Sequence, residues 1–207
     1  MKRGILAVAL FAVSSLAHAG LSFNQLSTAT RTEAFNVATL PFYAVGTSLG
    51  LGALETNEAG TITFTYLGQE SGYNNKFYLT IGATQMLTEN PIGTQASAFV
   101  NTTGAVSFKF EGNTGKFAIN GGTWATGTSI GLIGTNMTVS SGLAAGNYQY
   151  VIGYNDSAGA STLGDWDDYV VGVNFTPAIP EPEIYAMMGL GLGLMGWVGR
   201  RRKQQAA

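Results

Sequence analysis

Cysteine is absent from this sequence, and histidine occurs once, at His18. Without cysteine there is no disulfide framework, so the fold must rest on core packing alone. His18 falls in a segment that the N-terminal pattern marks for removal, which leaves a body over residues 20–179 with neither residue. Ser-His-Asp and Cys-His catalysis are thereby excluded, as are zinc sites built on His or Cys. Charge is also scarce, at 11% of residues against ~25% in ordinary soluble domains. The four cations of the body, Arg31, Lys76, Lys109 and Lys116, face ten carboxylates, a net of −6. Nucleic acid needs a basic face, so it is not an expected partner. Between the two ends no stretch carries a sustained 3.6-residue apolar stripe; residues 34–45 are the one ambiguous run, and Pro41 interrupts it. What survives these exclusions is carboxylate chemistry and oxygen-ligated metal.

The N-terminus reads as a secretory signal peptide over residues 1–19. Lys2 and Arg3 supply its positive region, residues 5–13 its apolar core, and Ala17-His18-Ala19 a small-x-small cleavage site before Gly20. Residues 20–31 are rich in Ser, Thr and Asn and read as an exposed lead-in. Beyond them short β-branched and aromatic runs alternate with Gly, Asn and Thr. In residues 61–66 Ile62, Phe64 and Tyr66 share one side, and in residues 105–110 Val106, Phe108 and Phe110 do. Such period-two alternation marks half-buried antiparallel strands. Residues 77–81, 116–119, 148–154 and 169–175 follow the same pattern, with turn chemistry such as Gly72-Tyr73-Asn74-Asn75 and Asn120-Gly121-Gly122 between runs. The expectation is an all-β fold, an antiparallel β-sandwich body over residues 20–176.

One acidic cluster stands out. Asp165, Asp167 and Asp168 surround Trp166, with Asp156 upstream across a Ser/Gly/Ala loop. Gathered carboxylates make Ca²⁺ the one cofactor candidate, although the spacing is not that of an EF-hand; the plainer reading is a solvated acidic turn before the last strand. Asp167 and Asp168 make a poor acid/base pair, because adjacent strand residues point to opposite faces. No enzymatic activity is expected. Tyr73 in its Gly/Asn turn, Trp124 after Gly121-Gly122, and Trp166 among the aspartates are the candidate glycan contacts, since sugars stack on exposed rings. Aromatics at strand positions otherwise serve the core.

The C-terminus combines three parts. Residues 177–183 form a proline-rich link containing Pro180-Glu181-Pro182, residues 184–199 an uncharged apolar segment, and residues 200–207 a tail opening with Arg200, Arg201, Arg202 and Lys203. As a helix the apolar segment would reach roughly 24 Å, a little short of the ~30 Å hydrocarbon core. Tyr185 and Trp197 lie near its ends, where amphipathic rings favour the interface, and arginine stems can snorkel to the headgroups. The reading is a single transmembrane helix, with the cation block as a cytoplasmic membrane stop and the body facing outward. Gly191-Leu192-Gly193-Leu194-Met195-Gly196 matches the dinucleotide fingerprint in letters only, as no strand precedes it and no acidic residue follows.

In order and spacing these parts resemble the PEP-CTERM sorting signal. The resemblance implies export, transient residence in the inner membrane with the body on the periplasmic side, and processing near Pro180-Glu181-Pro182 by an exosortase-type protease. Delivery to the cell surface or extracellular matrix would follow. The Asp-rich turn running into Val170-Val171, and the segment over residues 59–76, resemble parts of the bodies of such proteins. The expected role is structural or adhesive in an exopolysaccharide biofilm; the alternative is a carbohydrate-binding module recognising that polysaccharide, with a hydrolase a distant third.

Overall fold

The computed structural model describes residues 20–31, 37, 40–41, 44–82, 85–88, 91–112, 117–122, 130–156, 166–178 and 187–195. The expected signal peptide, Trp124, Asp165, Pro180-Glu181-Pro182 and the Arg200–Lys203 block lie outside them. The chain divides into two compact units, Met1–Thr176 and Pro177–Ala207.

Among the described residues the first unit holds twelve strands: β1 (Leu21–Thr30), β2 (Ser48–Thr56), β3 (Gly60–Gly68), β4 (Lys76–Leu79), β5 (Gln85–Thr88), β6 (Gln95–Val100), β7 (Gly104–Ala105), β8 (Phe108–Glu111), β9 (Phe117–Ile119), β10 (Ile130–Val139), β11 (Gly146–Tyr154) and β12 (Tyr169–Pro177). Seven of them run in the order β1-β2-β10-β11-β12-β3-β6, with β7 added beside β2, in a sheet curled into a half-barrel. A second sheet, β5-β4-β8-β9, is smaller. Every pairing whose register is described is antiparallel. The body is therefore all-β and antiparallel, as expected, but in place of the expected β-sandwich it has one long sheet curled into a half-barrel and a second, small sheet packed with it.

The alternation in the sequence explains how the two sheets meet. Ile62, Phe64 and Tyr66 of β3 and Phe108 and Phe110 of β8 are all buried in one cluster, with Val106 between β7 and β8. Phe77 and Leu79 of β4 join them from the small sheet, and Ile152, Tyr154, Tyr169, Val171 and Val173 from the large one. Central strands are also covered on their other face. Val170, Val151 and Leu67 belong to a second cluster, although each is next in sequence to a member of the first. Burial on both faces is why β12 reads Tyr-Val-Val-Gly-Val instead of alternating. The edge strand β1 is the opposite case: mostly exposed, it is held by its nine-pair register with β2. The lead-in is thus exposed, as the composition suggests, yet it is a ten-residue strand.

Two close approaches need glycine. A side chain at Gly153 would run into the carbonyl oxygen of Trp166, and one at Gly172 into the ring of Tyr148. Gly153→Ala pushes against backbone, and overpacking of this kind costs typically 1–3 kcal/mol. The expected outcome is a fall in melting temperature of several degrees, while Gly72→Ala, in open space, leaves it unchanged.

The second unit contains one described helix, α1, over residues 187–195. Its nine residues span about 14 Å at 1.5 Å per residue. No helix among the described residues is long and apolar enough to cross a membrane. Of the transmembrane helix expected over residues 184–199, the structure describes a helix over 187–195 alone, which is too short to span. Met187, Met188, Leu190, Leu192, Leu194 and Met195 are all exposed on it.

Candidate functional site

The acidic cluster forms where β11 ends and β12 begins. Antiparallel pairing sets Tyr154 opposite Tyr169, which brings the residues flanking them, Asp156 and Asp168, together across the connection. The backbone N–H of Asp156 donates to Asp168 Oδ2 at 2.7 Å. Asp156 Oδ2 in turn accepts from Ser71 Oγ and from Asn75 Nδ2, both at 2.7 Å. Asn75 is fully buried and donates a second bond to the Asp168 carbonyl at 3.0 Å. The cluster therefore ties the β3–β4 loop to the start of β12, and Glu70 adds a backbone bond to the Asp167 carbonyl at 2.9 Å.

Burial dominates the electrostatics. Asp167 and Asp168 are 2% and 6% exposed, so the solvated acidic turn expected from the sequence is a buried one. Loss of solvent pushes the Asp168 carboxyl up to about 7; the Asp156 N–H opposes this, and the charges of Asp156 and Asp167 add to it. Burial likewise raises the Tyr154 and Tyr169 hydroxyls, with the Asp156 charge contributing at Tyr154. Of the four Ca²⁺ candidates the fold joins Asp156 and Asp168 directly and keeps Asp167 beside them in sequence. Among the described residues no group of three or more carboxylates converges on one point; Asp165 lies outside them.

The candidate glycan contacts separate. Tyr73 is 55% exposed on the loop that Ser71 and Asn75 anchor. Trp166 is 3% exposed and packs with Leu49 and Leu51, so its ring is core and not a sugar platform. The reason is Gly131, where any side chain would press into the indole. Trp124 lies outside the described residues. On the small sheet Phe117 and Ile119 are exposed, and Lys109 Nζ sits 4.5 Å from the centre of the Tyr78 ring while pairing with Glu111 at 2.7 Å.

A cleft that no motif announced opens at the far end of the large sheet. The β11–β12 ladder stops at Tyr150–Val173, and the β10–β11 register passes from Thr135–Tyr150 to Met137–Tyr148, skipping Asn136 and Gln149. Side chains replace the missing ladder. The Gln149 N–H donates to Asn174 Oδ1 at 3.2 Å, and the Phe175 N–H donates to Gln149 Oε1 at 2.6 Å. Asn136 adopts a φ of 50°, the left-handed region that asparagine tolerates best among residues with a side chain. The result is a surface cleft of about 640 Å³ whose walls carry Asn136, Thr138, Asn147, Gln149, Asn174 and Thr176 and no charged side chain.

No curated protein and no solved structure matches the chain. The family that does match is described as a PEP-CTERM protein-sorting motif, and it covers residues 178–203, from the proline-rich link through the apolar segment to the cation block. The C-terminus of this chain is a PEP-CTERM protein-sorting motif, which implies processing by exosortase, export and sorting to the cell surface.

Proposed function

We propose that the protein is a non-enzymatic structural or adhesive component of an extracellular polysaccharide matrix, carried there through the inner membrane by its C-terminal signal. The observation behind this reading is the sorting motif at residues 178–203. Helix α1 supports the membrane stage, because a helix that exposes six large apolar side chains calls for an apolar environment around it. The body suits a load-bearing part. Two clusters of buried side chains hold its long sheet from both faces, and exposed apolar residues such as Phe99, Phe117 and Ile119 offer contact surface.

Fractionation tests the route. Wild-type protein is expected in the surface and matrix fractions, its intact mass fitting a start at Gly20 and an end near Pro180-Glu181-Pro182. Replacing those three residues by alanine should hold the longer, unprocessed form in the membrane fraction and empty the matrix fraction at least ten-fold. Equal matrix delivery of both forms would remove the basis of the reading. Deletion of the gene should weaken biofilm cohesion without changing polysaccharide composition; an altered composition would point to an enzyme instead.

A further inference from the structure

We propose that the cleft between β10, β11 and β12 is a binding site for an uncharged polysaccharide chain, held by the carboxamides of Asn147, Gln149 and Asn174. The inference deepens the matrix reading above by naming what the body would grip.

The chemistry of the walls selects the ligand. Six polar side chains, all amides or hydroxyls, line the cleft. With no charge present, an ionic ligand finds no counter-charge there to offset the hydration it would lose. Amide and hydroxyl groups do match a surface dense in sugar hydroxyls, each of which both donates and accepts. The volume, about 640 Å³, is of the size that small-molecule sites have. Because the cleft is open to the surface, it suits a few residues of a long chain better than an engulfed metabolite.

Internal bonds preorganise the donors. Asn174 Oδ1 is held by the Gln149 N–H, Gln149 Oε1 by the Phe175 N–H, and Asn147 Oδ1 by Thr138 Oγ1 at 2.8 Å. Each carboxamide thus has its oxygen fixed inside the protein, and its NH₂ end makes no hydrogen bond to a described residue. Fixing donors before binding reduces the entropy lost on association. The same bonds argue against an extended peptide. Strand addition needs open backbone groups on a sheet edge, whereas the Gln149 and Phe175 N–H groups at this opening are already capped. Asn136 supplies the last wall in the left-handed backbone region, and such outliers gather at binding sites.

Isosteric changes give a clean test. Asn174→Asp and Gln149→Glu keep an oxygen for the part-buried N–H but lose the outward NH₂ donor. Full chain in a non-glycosidic detergent is run by affinity electrophoresis through gels containing dextran, and on an array of uncharged and acidic oligosaccharides. Retardation by dextran or binding to uncharged array members is expected, weakened at least ten-fold by each substitution with the melting temperature within about 2 °C of wild type. Val45→Ala, at an exposed residue outside the cleft lining, should leave it unchanged. If either isostere unfolds the protein, Asn147→Asp and Asn136→Gly serve in its place. Absence of binding to every uncharged glycan overturns the proposal, as does binding that the cleft variants leave intact, or a preference for acidic glycans or peptides. Absence of glycan binding by a wild-type protein that still reaches the matrix sinks this inference alone; failure to reach the matrix sinks the sorting route and leaves the binding result standing.

Discussion

Phe110→Ala is expected to destabilise the body by about 3–5 kcal/mol, the usual cost of emptying a buried phenylalanine site. Phe110 is 0% exposed and sits on β8, in the middle of the small sheet. Its ring centre lies 5.2 Å from Phe77 and 6.0 Å from Phe108 within that sheet. Across the interface it stacks on Tyr154 of β11 at 5.5 Å, the planes 2° apart, and meets Tyr169 of β12 edge-on at 5.9 Å. One side chain therefore joins the two sheets, and an alanine takes a ring contact away from each of four neighbours. For a domain of this size the loss corresponds to a melting-temperature drop of roughly 10 °C. Phe117→Ala provides the control on the same sheet, because that ring is half exposed and should cost less than about 1 kcal/mol. A Phe110→Ala protein that melts within two degrees of wild type would mean the small sheet does not rely on this interface.

Much of this core is legible in the sequence because its residues alternate. Ile62, Phe64 and Tyr66, like Phe108 and Phe110, carry a period of two, and period two fixes a face. The strands that escape notice are held differently. β1 is polar along nearly all its length and is kept by backbone pairing to β2; composition sees only its exposure. In β2 the glycines at 50 and 52 lower strand propensity, yet Gly52 is needed because a side chain there would meet the Asn24 carbonyl. The helical tail is legible for another reason: its signal is local, three adjacent blocks in fixed order.

Sites made from distant residues are a harder matter. Asn75 reaches Asp168 across 93 positions, so no window of sequence shows that this carboxyl is buried. Trp166 looks like a surface ring among aspartates, and its packing against Gly131, Leu49 and Leu51, all distant in sequence, makes it core. The cleft is hidden for the same reason. Its carboxamides come from three strands, and what sets them apart is a gap in the ladder at Gln149, which leaves no trace in composition.

Asp168→Asn is expected to make the protein more stable above neutral pH and to flatten its pH profile. The folded chain raises the Asp168 carboxyl from 3.8 to about 7, burial first and the charges of Asp156 and Asp167 after it, against the Asp156 N–H. Between these two values the folded state holds a proton that the unfolded state has released. Stability must then fall as pH rises through that window. Below about pH 4 both states are protonated and the group contributes no penalty; above about pH 7 both are ionised and the penalty is complete. The neighbours make it worse, since a second carboxylate, Asp156, lies within one hydrogen bond and two tyrosine hydroxyls of raised pKa stay neutral throughout. Asparagine keeps an oxygen to accept the Asp156 N–H and adds an NH₂ group beside the Asp156 carboxylate, without any charge to desolvate. Melting temperatures of wild type and variant, compared at pH 4.5 and pH 8, should nearly coincide at the acid end. At the alkaline end the variant should melt several degrees higher. Other carboxylates titrate over the same range in both proteins, so the difference between the curves isolates Asp168; two parallel curves would mean that this carboxyl is ionised in the folded state across the whole range.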